Sequence, residues 1–193
     1  MEIGDVFCPR SRGEWRDWLA ENHLVKKEIW LRLFRKGSGQ QGISYDDLVE
    51  ECLCFGWIDG TVKSFDAVSR VQRITPRRKR GSYLSELNRQ RIWKMQRLGC
   101  MFESGIAPIA DQIGSPDDPF TVPDWVATAL REVPAAWEHF QRFPRFYQRL
   151  KIGWIAELKG NRPEETAKRL AYFIKMTAQG KRYGTEPLAD WEV

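Results

Sequence analysis

The sequence predicts an α+β fold, with a small antiparallel sheet of about three strands in the N-terminal half, packed with helices, and an all-helical C-terminal half. Three observations carry this reading. Residues 28–35 set Ile29, Leu31 and Leu33 against Trp30, Arg32 and Phe34, the period-two alternation of a strand with one strongly apolar face. Residues 57–65 and 70–76 are two further extended stretches, joined around 66–69 in the manner of a hairpin. From residue 82 onward the apolar residues fall at helical spacing, and Pro123, Pro134, Pro144 and Pro163 sit where helices begin, a position that has no use for the missing N–H. At 193 residues the chain fits one large domain, or a domain with a helical extension, and buries a core without metals or disulfides.

The elements follow in order. Ser11-Arg12-Gly13-Glu14 has the Ser-x-x-Glu form of a capping box, and Trp15, Trp18 and Leu19 repeat behind it, predicting a helix over 12–22. Residues 37–42 are a Gly/Ser/Gln-rich turn. Ser44 then caps a second helix whose first turn carries Asp46 and Asp47, favoured by the helix dipole. It turns Leu48, Val49, Cys52 and Phe55 inward and stops at Gly56. After the hairpin, Ser82 is the expected cap of a helix ending near Leu98, with Gly99 as its stop and Leu84, Leu87, Ile92, Met95 and Leu98 as its apolar face. A short helix follows Met101, and residues 114–119 (GSPDDP) are the linker candidate. Pro163 opens the final long helix, with Leu170, Phe173, Ile174 and Thr177 on one face and Gly180 as stop. The division expected is therefore an α+β part over 1–113, a helical region over 120–182 and a tail over 183–193.

Composition excludes several classes. Apolar and charged contents are near globular averages, which argues against disorder. No stretch approaches the roughly 20 apolar residues of a membrane-spanning helix, and residues 1–10 lack the apolar run of a secretory signal, so a cytoplasmic protein without membrane insertion is expected. Cys8, Cys52, Cys54 and Cys100 contain no C-x-x-C pair and read as reduced thiols. The two histidines, His23 and His139, lie near no cysteine pair, so neither a metal site nor a cofactor is expected. There is no P-loop and no Ser/His/Asp constellation.

The charge is uneven. Residues 70–97 hold ten basic side chains, eight of them Arg, against Glu86 alone, about +9 in a chain of net +5. Arginine is the side chain suited to bidentate contact with phosphate or carboxylate. Three readings fit: a pocket for a small anion, a surface for nucleic acid, or a solvated face balanced by acids such as Asp46, Asp47, Glu50 and Glu51. Beside this run, Gly56 ends a helix and Trp57 opens a strand directly, with Asp59-Gly60 placed for a turn or bulge. Trp57, Asp59, Lys63, Arg73, Arg77 and Asn88 are then the candidate ligand-binding residues, converging at one end of the sheet. An aspartate among arginines titrates low and is a poor general base near neutrality, which favours binding or pairing over acid–base catalysis.

Phe55-Gly56-Trp57-Ile58-Asp59-Gly60, Val62-Lys63-Ser64 and Gln72-Arg73-Ile74-Thr75-Pro76-Arg77-Arg78, together with Trp30, Tyr45 and Asn88, resemble the YdeI/OmpD-associated family. In the C-terminal half, Phe146-Tyr147, Gly153-Trp154-Ile155, Pro163-Glu164 and Ala167-Lys168-Arg169 are similar to the family's OmpD-associated helical region, so that the resemblance spans about 14–182. The family pattern Ser-x-Trp-Ser is here Ser82-Tyr83-Leu84-Ser85, and its Pro-Glu-Thr-Arg is here Pro163-Glu164-Glu165-Thr166. If that family Trp lines a pocket, Leu84 changes the ligand. The resemblance implies association with bacteriocin protection, outer-membrane porins and tolerance of cationic antimicrobial peptides, with no agreed catalytic residues. The expectation is thus a stress- or antimicrobial-resistance-associated protein binding a small anionic ligand in a Trp/Arg-lined cleft. The alternatives are non-specific nucleic-acid binding through 70–97, and an enzyme acting on a small metabolite or toxin.

Overall fold

The computed structural model of the chain describes residues 2–78 and 83–189, which divide into two compact units. One unit comprises Met1–Tyr83 with Met95–Ile113, the other Leu84–Lys94 with Gly114–Val193.

The first unit contains β1 (Val6–Phe7), α1 (Arg12–Asn22), β2 (Ile29–Phe34), α2 (Tyr45–Cys54), β3 (Trp57–Ser64) and β4 (Ser69–Pro76), then the single-turn helices α4 (Glu103–Ile106) and α5 (Ala110–Ile113). The helix α3 (Glu86–Arg97) lies between β4 and α4 in the chain, and only its last three residues belong to this unit. The sheet has four strands in the order β1-β2-β4-β3, not three. The added strand is β1, which runs parallel to β2 with Val6 opposite Trp30 and Phe7 opposite Leu31. Two residues are too few to show alternation. The other pairs are antiparallel, and the register of β3 against β4 shifts between Asp59 and Val62, a bulge at the Asp59-Gly60 position.

Capping follows the sequence at α2 and in part at α1. Ser44 and Asp47 form a reciprocal capping box at the start of α2. At α1, Ser11 Oγ accepts from the Glu14 N–H, but the Glu14 carboxylate accepts from the Arg10 N–H, one residue before the cap. Helix α2 ends at Gly56, whose φ of +74° is left-handed, and a Cβ built there would lie 2.0 Å from the Ser104 carbonyl oxygen. Both the turn and the approach of α4 therefore need glycine.

Trp15, Leu19, Leu31, Leu48, Cys52, Trp57 and Ile74 form the centre of this unit's core. Trp15 stacks on Trp18 at 5.3 Å, and Trp57 meets Trp18 edge-on at 5.9 Å. Each fully buried large apolar side chain contributes about 1.5–3 kcal/mol. Next to this core, the buried carboxylates of Glu50 and Glu51 on α2 are held by α1: Arg12 donates Nε to Glu51 at 2.6 Å and Nη1 to Glu50 at 2.7 Å, and Arg16 Nη1 reaches Glu51 at 2.7 Å. These acids, with Asp47, thus engage α1, where the sequence suggested them as a balance for residues 70–97.

The second unit contains the first nine residues of α3, then α6 (Asp124–Arg131), α7 (Pro134–Arg142), α8 (Arg145–Ala156) and α9 (Pro163–Ala178). Ser82, the expected cap of α3, lies outside the described residues; Ser85 Oγ accepts from the Asn88 N–H instead. Val126, Leu130, Ala136, Phe140, Tyr147, Ile152, Ile155 and Phe173 make the core. The chain beyond Gly180, expected to be a tail, packs back onto this unit through Tyr183 and Leu188. The Tyr183 N–H donates to the Tyr147 hydroxyl at 3.1 Å, and Leu188 is buried.

Candidate functional site

The six residues named from the sequence are distributed over three places. Trp57 is only 1% exposed, and its indole N–H donates to the His23 carbonyl at 3.2 Å, so it belongs to the core. Asp59, two residues on, is held by the Tyr45 hydroxyl at 2.8 Å and by Gln72 Nε2 at 2.9 Å. Arg77 is 6% exposed, and its backbone N–H donates to the Gly56 carbonyl at 2.8 Å. Burial pushes its guanidinium below the ordinary arginine value, against the opposing field of Asp59. Asp59 and Arg77 are therefore within electrostatic reach of each other.

Lys63 and Arg73 are placed elsewhere. The Lys63 ammonium stands 5.5 Å from the Trp30 ring, and Arg73 forms an ion pair with Glu28 through Nη2. Register sets Arg73 opposite Trp30, whereas Asp59 pairs with Ile74, the next residue along β4, so Arg73 and Asp59 point to opposite faces of the sheet. Asn88 lies in the second unit, where its Oδ1 accepts from Arg91. Of the basic run, Arg77 and Arg91 are buried, Arg89 is paired with Glu86, and Lys79 and Arg80 lie outside the described residues.

A different site stands out in the second unit. A pocket of about 360 Å³ is lined by the start of α3, by α8 and by the segment after α9, with Leu87, Leu150, Trp154 and Tyr183 giving it mostly apolar walls. Lys151 is the one cation among its described lining residues, and it is 6% exposed. Its ammonium lies 3.8 Å from the Tyr183 ring centroid, 5.2 Å from Tyr147 and 5.8 Å from Trp154. Two of these rings come from α8 itself, at four residues before and three after Lys151, the spacings that share a helix face. The third is brought by the segment read as a tail. Gly184 next to it has φ +84°, and a Cβ there would sit 2.9 Å from the Lys151 nitrogen.

Among the described residues, Lys151 has no hydrogen bond and no ion pair. The two glutamates that line the pocket are already engaged. Glu86 accepts from Arg89, Arg149 and Gln90, and Glu157 accepts from Arg169 at 2.8 Å. Glu186 contributes a favourable field at longer range and is itself 3.6 Å from Arg182. Burial outweighs that field and pushes the Lys151 ammonium down to about 8. The three ring faces favour the charged form, at about 0.5–2 kcal/mol for a cation against a ring. The arrangement is a buried positive charge facing a mostly apolar cavity, with no carboxylate among the described residues in hydrogen-bond contact with it. Sequence reading passed over Lys151, although Tyr147 and Trp154 at helical spacing around a lysine flanked by Leu150 and Ile152 were the available signal.

Residues 7–108 match the sequence model of a family described as a domain of unknown function (DUF8412). Residues 119–180 match the family described as bacteriocin-protection, YdeI or OmpD-associated, so the resemblance to that family holds over this part of the chain. The segment from Gly56 to Arg78 falls inside the first match, and the Lys151 helix inside the second. No curated protein and no solved structure gives a significant match.

Proposed function

We propose that this chain, which belongs to the DUF8412 family and carries a bacteriocin-protection, YdeI or OmpD-associated segment, is a resistance-associated protein that binds a small molecule with an apolar body and one anionic head group. The ligand seats in the Lys151 pocket. The observation that carries this reading is the Lys151 side chain, buried, without a hydrogen-bonded counter-charge among the described residues, and lining a pocket of about 360 Å³. A carboxylate entering the pocket supplies the missing charge in a place where water screens little, and Trp154, Leu87 and Leu150 receive the apolar remainder. The family description fits loosely with such a role, since protection against a toxic compound is compatible with binding one.

Calorimetric titration with benzoate and hexanoate at pH 7 tests this. Both are expected to bind the wild type, and Lys151→Met is expected to bind at least about tenfold more weakly, the loss of one charge-assisted contact. Equal affinity in the two proteins would move the anion site away from Lys151.

A further inference from the structure

We infer that the Lys151 amine is also a nucleophile that forms an imine with a small aldehyde or ketone of apolar body entering the same pocket. This rests on the reading of that pocket as the ligand site. Most protein lysines do no such chemistry because their amines are hydrated and charged, or held by a carboxylate. Among the described residues Lys151 has no hydrogen-bond partner: its side chain is packed against three rings, and the pocket's two glutamates are occupied by Arg89, Arg149 and Arg169. The amine nitrogen therefore breaks no hydrogen bond to a described side chain when it attacks.

The step balances without a redox partner. The neutral nitrogen adds to the carbonyl carbon, the C=O π pair moves to oxygen, and the proton lost from nitrogen ends on that oxygen to give a carbinolamine. Protonation of its hydroxyl and departure of water leave a C=N bond, protonated as the iminium. The iminium is a cation at the place the ammonium occupied, so the faces of Tyr183, Tyr147 and Trp154 that stabilise the ammonium stabilise the product as well. Ser85 and Thr185 are the hydroxyl-bearing residues that line the pocket, and they are the side chains at hand for the departing oxygen. Glu86 and Glu157 line the pocket and are paired with arginines, Glu186 is the acid whose field favours the Lys151 ammonium, and burial prevails over that field, down to about 8. At pH 7.5 the neutral fraction of such an amine exceeds that of an ordinary lysine by on the order of a hundredfold.

The test uses the wild-type chain with benzaldehyde and cyanoborohydride at pH 7.5, with peptide mapping by mass spectrometry. A parallel titration with benzoate alone reports whether the pocket binds at all. The expected result is reductive alkylation at Lys151 at least about tenfold above any other lysine, reflecting its larger neutral fraction, and suppressed by benzoate. Alkylation spread evenly over the lysines, or absent from Lys151, while benzoate still binds, overturns the imine and leaves the pocket reading standing. Absence of both alkylation at Lys151 and benzoate binding overturns the two together.

Discussion

The Lys151 ammonium sits 3.8 Å from the centroid of the Tyr183 ring, closer than to Tyr147 or Trp154 of its own helix. The contact joins the middle of α8 to the segment after α9, 32 residues later. It turns a helix-face lysine into an enclosed one. Tyr183 is tied in place by its backbone N–H to the Tyr147 hydroxyl and by edge-on packing against Tyr172 at 5.0 Å.

Stability should report the buried charge through pH. The folded-state value of Lys151, about 8, lies below the roughly 10.4 of an unfolded lysine. Below pH 8 the amine is charged in both states and the burial penalty is complete. Between 8 and 10.4 the folded state has lost the proton and the unfolded state still holds it, so stability rises with pH. Wild type should therefore gain on the order of 2 kcal/mol relative to Lys151→Met between pH 8 and 10. Urea midpoints at the two pH values check this, and a pH-independent difference would remove the depressed titration. The window stops at 10 because burial pushes the Tyr147 hydroxyl up to about 12, which works in the opposite sense above the ordinary tyrosine value.

The contrast between two ion pairs separates burial from mere proximity. Arg12 holds Glu50 and Glu51, which are 5% and 2% exposed at the side chain, whereas Arg142–Glu138 on α7 is exposed on both sides. Arg12→Ala should cost about 3 kcal/mol, because it strips a partner from two buried carboxylates. Arg142→Ala should cost less than about 0.5 kcal/mol. Comparable losses in chemical denaturation would show that the buried carboxylates find other partners.

Gly56→Ala should destabilise the first unit by at least about 1–3 kcal/mol from backbone strain alone, with the clash against the Ser104 carbonyl added to it. A thermal midpoint within a degree of wild type would mean that α4 yields freely at that point.

Much of the first unit was legible because its signals are local. The 28–35 alternation, the Ser44 cap, the Gly56 stop and the bulge at Asp59-Gly60 each depend on a handful of neighbouring residues. The strand β1 was not legible, since two residues carry no period. The candidate site was harder. Trp57, Asp59 and Arg77 do share one end of the sheet, but Arg73 turns to the other face, an alternation the sequence contains and the expectation of convergence overrode. Lys151 depends on Ser85–Leu87, on α8 and on Tyr183, three stretches far apart in the chain. A single lysine letter in an apolar stripe does not reveal which of them will enclose it.

The most direct measurement follows the Lys151 side chain itself, by NMR titration of selectively labelled lysine ε positions with and without benzoate, assigned with Lys151→Arg. One lysine is expected to titrate near pH 8, with that midpoint shifted upward when benzoate is bound, because a bound carboxylate favours the ammonium. A Lys151 resonance that titrates with the other lysines near 10.4, unmoved by benzoate, would contradict that expectation.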